Sequence, residues 1–331
     1  MPKRHHPKRG SHAFSPRKRS EQTLARFRSW APDGPEPVVQ GLLGFKAGMT
    51  HVMMVDYRPS STTAGQEVRS AVSVIEAPPM GVAGVRVYEQ TPYGRRAAGE
   101  VWAKGIDKVV EKRIHLTDKR VGDVSSFDAD KVDDVRLIVF NRPHLVSGLP
   151  RKVPDLIEIR VGGGDIAGRL ALAGERLGKD INAVDFVKGG EMVDVAAVTK
   201  GKGWQGSPKR WGVKLQSHKN SKNRRDTSPL GPFQPRFIRS TVPMPGQTGY
   251  HQRTEYNKRV LKVGQDGADV TPAGGFLHYG KVENPYILLH GTIPGPTKRA
   301  VGLRHAVRYQ RGVKVDEPQL TYVSTASQQG V

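Results

Sequence analysis

Three groups of residues have types and spacings that could do chemistry. GKGWQG at 201–206 satisfies the G-x-G-x-x-G pattern and follows the strand-like VDVAAVTK, the context in which a nucleotide phosphate is cradled. A dinucleotide site also needs a helix opening onto the pyrophosphate. The following SPKRWGVKLQSHKN holds Pro208 and no apolar face, so no such helix is expected. Neither an H-R-D nor a D-F-G triplet lies downstream, which excludes a kinase glycine loop. The eleven histidines show no H-E-x-x-H or comparable ligand spacing, and without cysteine there is no thiolate, so neither a metal nor another cofactor is expected. Carboxylates are sparse where the cations concentrate, with only Glu21, Asp226 and Glu255 there, leaving little general acid or base. The usual parts of an enzyme are missing, and the expectation is a binding protein.

What the same stretches do carry is positive charge. The formal charge is +22 over 331 residues. Residues 1–30 hold nine Lys and Arg against one acid, and 200–260 hold fourteen against two, whereas 101–199 hold sixteen of each sign. Self-repulsion in those two segments calls for a polyanion, and nucleic acid is the first candidate. An anionic membrane is disfavoured because no apolar run approaches 18 residues and no basic amphipathic helix is evident. The basic N-terminus lacks a following apolar stretch, so a cytosolic location is expected.

These segments must be positioned by the ordinary globular sequence between them. Short β-rich runs at Val72–Ile75, Val82–Tyr88, Val135–Phe140, Leu156–Val161, Met192–Thr199, Val260–Val263 and Tyr286–His290 are mostly bounded by Gly or Pro. They predict a mainly β fold built on a small β-barrel. A helix is expected over Asp165–Leu177, capped by Asp165 and ended by Gly178, and a second around Trp102–Arg113. The expected organisation is a basic arm over 1–37, a barrel from 38–100 and 186–331, an α/β insertion at 101–185, and an extended loop over 200–260 emerging from the barrel. Breakers from Gly201 to Pro245 deny that loop any period. Ordering about 60 residues costs roughly 1–2 kcal/mol each in backbone entropy, which a core-poor segment recovers only from a partner.

The candidate contacts are therefore Lys3, Arg4, Lys8, Arg9, His12, Phe14, Arg17, Lys18 and Arg19 in the arm. In the loop they are Lys200, Lys202, Lys209, Arg210, Lys214, His218, Lys219, Lys222, Arg224, Arg225, Arg236, Arg239, Gln247, His251, Arg253 and Lys258, joined by Lys46 and Lys298 outside both segments. Interleaved with the loop cations are Trp204, Trp211, Phe233, Phe237, Tyr250 and Tyr256, which either pack locally or stack on splayed bases.

Several blocks, in order, resemble one known family. They are GSHAFSPRKRS in the arm, GLLGFKAGMTHV at 41–52, VSVIEAPPM at 72–80, TPYGRR at 91–96, VTKGKGWQGSPKRWGVK at 198–214, STVPMPGQTGYHQRTEYNKRV at 240–260 and GTIPGPTKRAV at 291–301. Together they resemble the universal large-subunit ribosomal protein number three, the L-three family, in its archaeal and eukaryotic form. The resemblance implies a translation-protein-like barrel, with arm and loop threading into large-subunit ribosomal RNA toward the peptidyl-transferase region. It also implies a role early in subunit assembly, neighbouring ribosomal proteins as partners, and no chemistry of the protein's own. By motif position the loop tip falls at LGPFQP, 230–235, where Phe233 stands in place of the family's usual Trp. The competing reading is an architectural nucleic-acid-binding protein outside the ribosome.

Overall fold

A computed structural model describes residues 10–115, 120–227, 230–234, 236–309 and 316–329. In chain order the strands are β1 (Val38–Val39), β2 (Gly41–Val55), β3 (Glu67–Glu76), β4 (Met80–Thr91), β5 (Gly94–Trp102), β6 (Asp134–Phe140), β7 (Leu156–Gly162), β8 (Asp180–Ile181), β9 (Met192–Val198), β10 (Gly201–Gln205), β11 (Gly246–Gly249), β12 (Gln252–Gly264), β13 (Tyr286–His290), β14 (Ala300–His305) and β15 (Leu320–Val323). The helices are α1 (Lys108–Glu111), α2 (Ile166–Arg176), α3 (Ala183–Phe186) and α4 (Ser207–Trp211). The protein is mainly β, as its sequence predicts, and the seven expected β-runs coincide with strands, Met192–Thr199 overrunning β9 by one residue.

The chain divides into two units: Met1–Thr23 with Val198–Arg253, and Leu24–Ala197 with Thr254–Val331. In the larger unit one sheet has the order β14-β9-β12-β13-β3-β2-β15, and a further pairing of β14 with β2 returns the circuit to its start. Its buried residues include Leu42, Val72, Val74, Val193, Val195, Leu261, Leu288 and Leu303. The longest strand, β2, escapes a reading for β-branched runs because Gly41, Gly44 and Gly48 interrupt it. Those glycines serve close packing: a Cβ on Gly44 would lie 2.5 Å from the Ile75 side chain, and one on Gly48 2.5 Å from the Phe276 ring.

The second sheet of this unit runs β1-β7-β6-β4-β5, with β8 on β4. It therefore joins β4 and β5 to the strands of the 134–162 region. Helix α2 occupies the expected stretch, with Asp165 at its N-cap in extended conformation and Leu177 at its C-cap. Asp165 makes no side-chain capping bond. Gly178 then turns the chain at φ +76°. The helix expected over Trp102–Arg113 is reduced to the four residues of α1, capped by Asp107. Trp102 instead ends β5 with its indole buried, and Gly105 at φ +69° breaks the chain between them. On one face of the sheet, Arg86 lies opposite Arg136, and Arg136 opposite Arg160. Carboxylates separate these like charges: Glu100 and Glu158 pair with Arg86, Asp134 with Arg136 at 3.0 Å and with Arg160 at 2.7 Å. Charge in the larger unit is largely neutralised within the fold.

Candidate nucleic-acid interface

The smaller unit holds 19 Lys and Arg against two carboxylates, Glu21 and Asp226, while the remainder of the chain holds 34 against 29. Few apolar residues are available to order it. Local order begins where β10 pairs antiparallel with β11, Gly201 opposite Gly249 and Gln205 opposite Gly246. The glycines of GKGWQG thus lie in or directly after a strand rather than in a phosphate-binding turn. Contrary to the sequence expectation, a helix does follow them: α4, five residues long. Pro208 fits its first turn, where no intrahelical N–H bond is lost, and Gly212 closes it in the left-handed conformation at φ +69°.

Trp211, the last residue of α4, is only 6% exposed. Its Nε1 donates to the Met244 carbonyl at 2.9 Å, and the Arg17 guanidinium lies 4.0 Å from the ring centroid. Arg210 stands 5.3 Å from the same ring, and the His12 ring is 5.9 Å away. A desolvated cation–π contact of this kind is worth about 2 kcal/mol, which makes the indole the organising centre of an otherwise core-poor unit. Gly10 approaches it so closely that a Cβ there would lie 2.6 Å from the ring.

Hydrogen bonds complete the anchorage of the arm. Arg17 Nη1 donates to the Arg210 carbonyl at 3.0 Å, and Arg210 reaches the Met244 and Gln247 carbonyls at 2.8 and 3.0 Å. Ser20 N–H donates to the Tyr250 carbonyl at 2.8 Å. His251 Nδ1 donates to the Lys18 carbonyl, also at 2.8 Å. Burial lowers the His251 pKa against the opposing pull of that bond, and the cations Arg253, Arg17 and Arg210 lower it further. The carbonyl requires a proton on Nδ1, and it is burial and the neighbouring cations, not this bond, that favour the neutral ring. Arg253 lies 4.8 Å from the Phe14 ring, and burial, then the charge of Arg17, lowers its pKa and that of Arg210.

Beyond this anchored base, the described residues of 213–245 form neither strand nor helix. A bond from Gln216 N–H to the Arg224 carbonyl at 3.1 Å closes a small turn there. The cations Arg19, Lys200, Lys202, Lys209, Lys214, Lys219, Lys222, Arg224, Arg225, Arg236 and Arg239 are all exposed, as is His218. Among the aromatics, Trp204 is 76% and Phe233 97% exposed, and Phe237 stands out with them. The two readings of the loop aromatics therefore divide by residue: Trp211 packs, whereas Trp204, Phe233 and Phe237 present open rings. Lys18 is exposed and pairs with Glu21 at 3.0 Å.

Lys3, Arg4, Lys8 and Arg9 fall outside the described residues. Lys46 belongs to the larger unit and is buried, its Nζ donating to the carbonyls of Ile293 at 2.7 Å and Gly295 at 3.1 Å. Lys258 pairs with Glu255 at 2.7 Å. Lys298 is exposed on a turn at φ +70°. No cluster of three or more His, Asp or Glu with metal-holding geometry occurs among the described residues. Sequence reasoning missed the anchoring roles of Arg17, Trp211 and His251, which no local signal reveals, because their partners are remote in the chain.

A chain with an anchored arm, a cation-rich loop and a mainly β body can be compared with known proteins over its whole length. The family described as Ribosomal protein L3 matches residues 1–330. A large ribosomal subunit protein uL3 of Methanocella arvoryzae is 46% identical over 335 residues, covering 98% of this chain and 99% of the relative. The uL3 protein of Archaeoglobus fulgidus is likewise 46% identical, covering 99% of each chain. That of Methanocaldococcus jannaschii is 46% identical, covering 98% of each. These matches span nearly the whole chain, the arm and loop included, and the chain belongs to the ribosomal protein L3 family.

Proposed function

We infer that this chain is a structural constituent of the large ribosomal subunit, residing in the cytoplasm within the ribosome, with ribosomal RNA as its main partner. The carrying observation is the smaller unit, in which exposed Lys and Arg far outnumber carboxylates on a loop without a core of its own. Phosphate contacts supply the missing neutralisation, and open aromatic rings supply stacking surface. The role is structural rather than enzymatic, as the family assignment implies. An architectural protein outside the ribosome is not favoured by near full-length identity to large-subunit proteins.

Within that role, the circuit of pairings from β2 through β3, β13, β12, β9 and β14 supports the reading of a small closed barrel for 38–100 and 186–331. The 101–185 segment then acts as an insertion whose strands recruit β4 and β5, and neighbouring ribosomal proteins meet surfaces whose charges are already paired. Arm and loop reach into the RNA, supporting early assembly and the RNA around the peptidyl-transferase centre, with LGPFQP at the tip. Lys46 drops out of the proposed contact set because its ammonium lies inside the larger unit. The exposed cations of the smaller unit remain, together with His218, Trp204, Phe233 and Lys298. The deciding experiment is a sucrose gradient of cell extract at low and high salt. The chain should sediment wholly with large subunits at low salt. Replacing Lys200, Lys202 and Arg19 by Ala should flatten the salt dependence of its affinity for large-subunit RNA. Protein found mainly free or with other nucleic acid would overturn the assignment.

A further inference from the structure

Within β12, Asn257 has φ +53°, a left-handed conformation that is strained for a side-chain-bearing residue and that Asn tolerates better than most. A strained residue inside a strand persists only when its surroundings hold it there. Here the buried carboxylate of Asp194 does so, accepting the Asn257 N–H at 3.0 Å, while Asn257 Nδ2 donates to the Arg308 carbonyl at 2.9 Å. Asp194 is itself held by Arg304 through Nε at 3.1 Å and Nη2 at 3.0 Å, and by the Val307 N–H at 3.2 Å. Arg304 also donates to the Ser29 hydroxyl at 2.9 Å and faces the Phe27 ring at 5.1 Å.

What this apparatus displays is Tyr256. The residue is 47% exposed, with the guanidinium carbons of Arg304 and Arg308 at 5.7 and 5.8 Å from its ring centroid. Nearby carboxylates are already engaged, Asp194 by Arg304 and Glu255 by Lys258. Arg308 is exposed and makes no ion pair among the described residues. A tyrosine present only to cover the strand would not need a buried ion pair and a left-handed asparagine beside it.

We propose that Tyr256 is a stacking platform for an unpaired base of ribosomal RNA, with Arg308 beside it for the adjoining phosphate. Tyr256 falls within the 200–260 stretch expected to form the loop but lies on β12 in the larger unit, so this contact is additional to those of the smaller unit. An open aromatic ring bordered by an unneutralised guanidinium fits a base and its phosphate. The proposal rests on the reading of the chain as an RNA-bound ribosomal constituent.

The test uses the full chain with large-subunit ribosomal RNA. Tyr256→Ala and Tyr256→Leu should each weaken binding about tenfold, while Tyr256→Phe keeps affinity within about twofold, as loss or retention of one stacked ring requires. Thermal unfolding of each variant checks that the fold survives, and the Leu variant retains apolar bulk. In assembled large subunits, a benzophenone side chain in place of Tyr256 should cross-link to RNA. If the parent binds RNA and the Ala and Leu variants bind equally well, or if position 256 cross-links only to protein or to nothing, the proposal is overturned while the ribosomal assignment stands. If the parent itself fails to bind large-subunit RNA, the assignment falls and the stacking site with it.

Discussion

The two units hold several of their arginines in different ways. In the larger one, Arg86, Arg136, Arg160 and Arg304 are each matched by a carboxylate, and Arg304 with Asp194 is almost wholly buried. In the smaller one, Arg17 and Arg210 bind an indole and backbone carbonyls instead. Carbonyls and rings hold a guanidinium in place without cancelling its charge, so the unit gains a fixed shape and keeps its field for phosphate. A carboxylate in the same place would have given order at the expense of attraction to RNA.

That contrast can be broken most forcefully at Asp194. Asp194→Ala leaves the Arg304 guanidinium buried without its counter-charge and releases Asn257, and we expect a loss of about 3–5 kcal/mol in denaturant unfolding of the larger unit. A change below about 1 kcal/mol would mean that this pair is not a structural necessity.

Trp211→Ala should act comparably but locally. Truncating a buried aromatic costs about 3–5 kcal/mol where packing is complete, and the smaller unit has little else to hold it. Hydrogen exchange should show lost protection around Ser20, Arg210 and Tyr250, with the unfolding midpoint of the larger unit unmoved. Retained protection at Ser20 would show that the arm is anchored by something other than the indole.

Phe233 offers the reverse case, an exposed ring with no protein packing to lose. Phe233→Ala should leave stability within about 0.5 kcal/mol yet remove a stacking contact worth about 1–3 kcal/mol, altering chemical probing of the peptidyl-transferase RNA in purified large subunits. Phe233→Trp should be tolerated. Unchanged probing and unchanged peptidyl-transfer rates in the Ala variant would remove LGPFQP from the tip.

The smallest effect is a pH dependence at His251. Its pKa in the fold is lowered, chiefly by burial, so below the unfolded value of about 6.5 the unfolded segment takes up a proton that the folded one resists. The anchorage of the arm is therefore complete above that pH and weakens as pH falls beneath it. The His251 ring signals in NMR should titrate below 6.5; a midpoint at or above it would contradict the buried neutral form.

Much of the fold was legible because β-branched runs and turn residues report local preference directly. Val72–Ile75 and Tyr286–His290 read as strands and are strands. The strand at Gly41–Val55 was not legible, since its glycines reflect the proximity of Ile75 and Phe276, a property of their neighbours rather than of β2. The helix that follows GKGWQG is not legible because Pro208 reads as a breaker, although its position in the first turn makes it compatible.

By itself the sequence determined where charge accumulates, that two stretches lack the apolar residues to form cores, and, through blocks spread over the chain, which family they belong to. Those are sums over local composition and need no coordinates. Only the tertiary structure decided which cations are available. Lys46 and Lys200 are the same residue type, yet one donates to buried carbonyls and the other is exposed. Likewise Trp211 became a core and Trp204 an open ring. Arg17 meets Arg210 across 193 residues of chain, and Lys18 meets His251 across 233. Contacts at such separations depend on how the intervening chain folds back, and no local window of sequence contains that information.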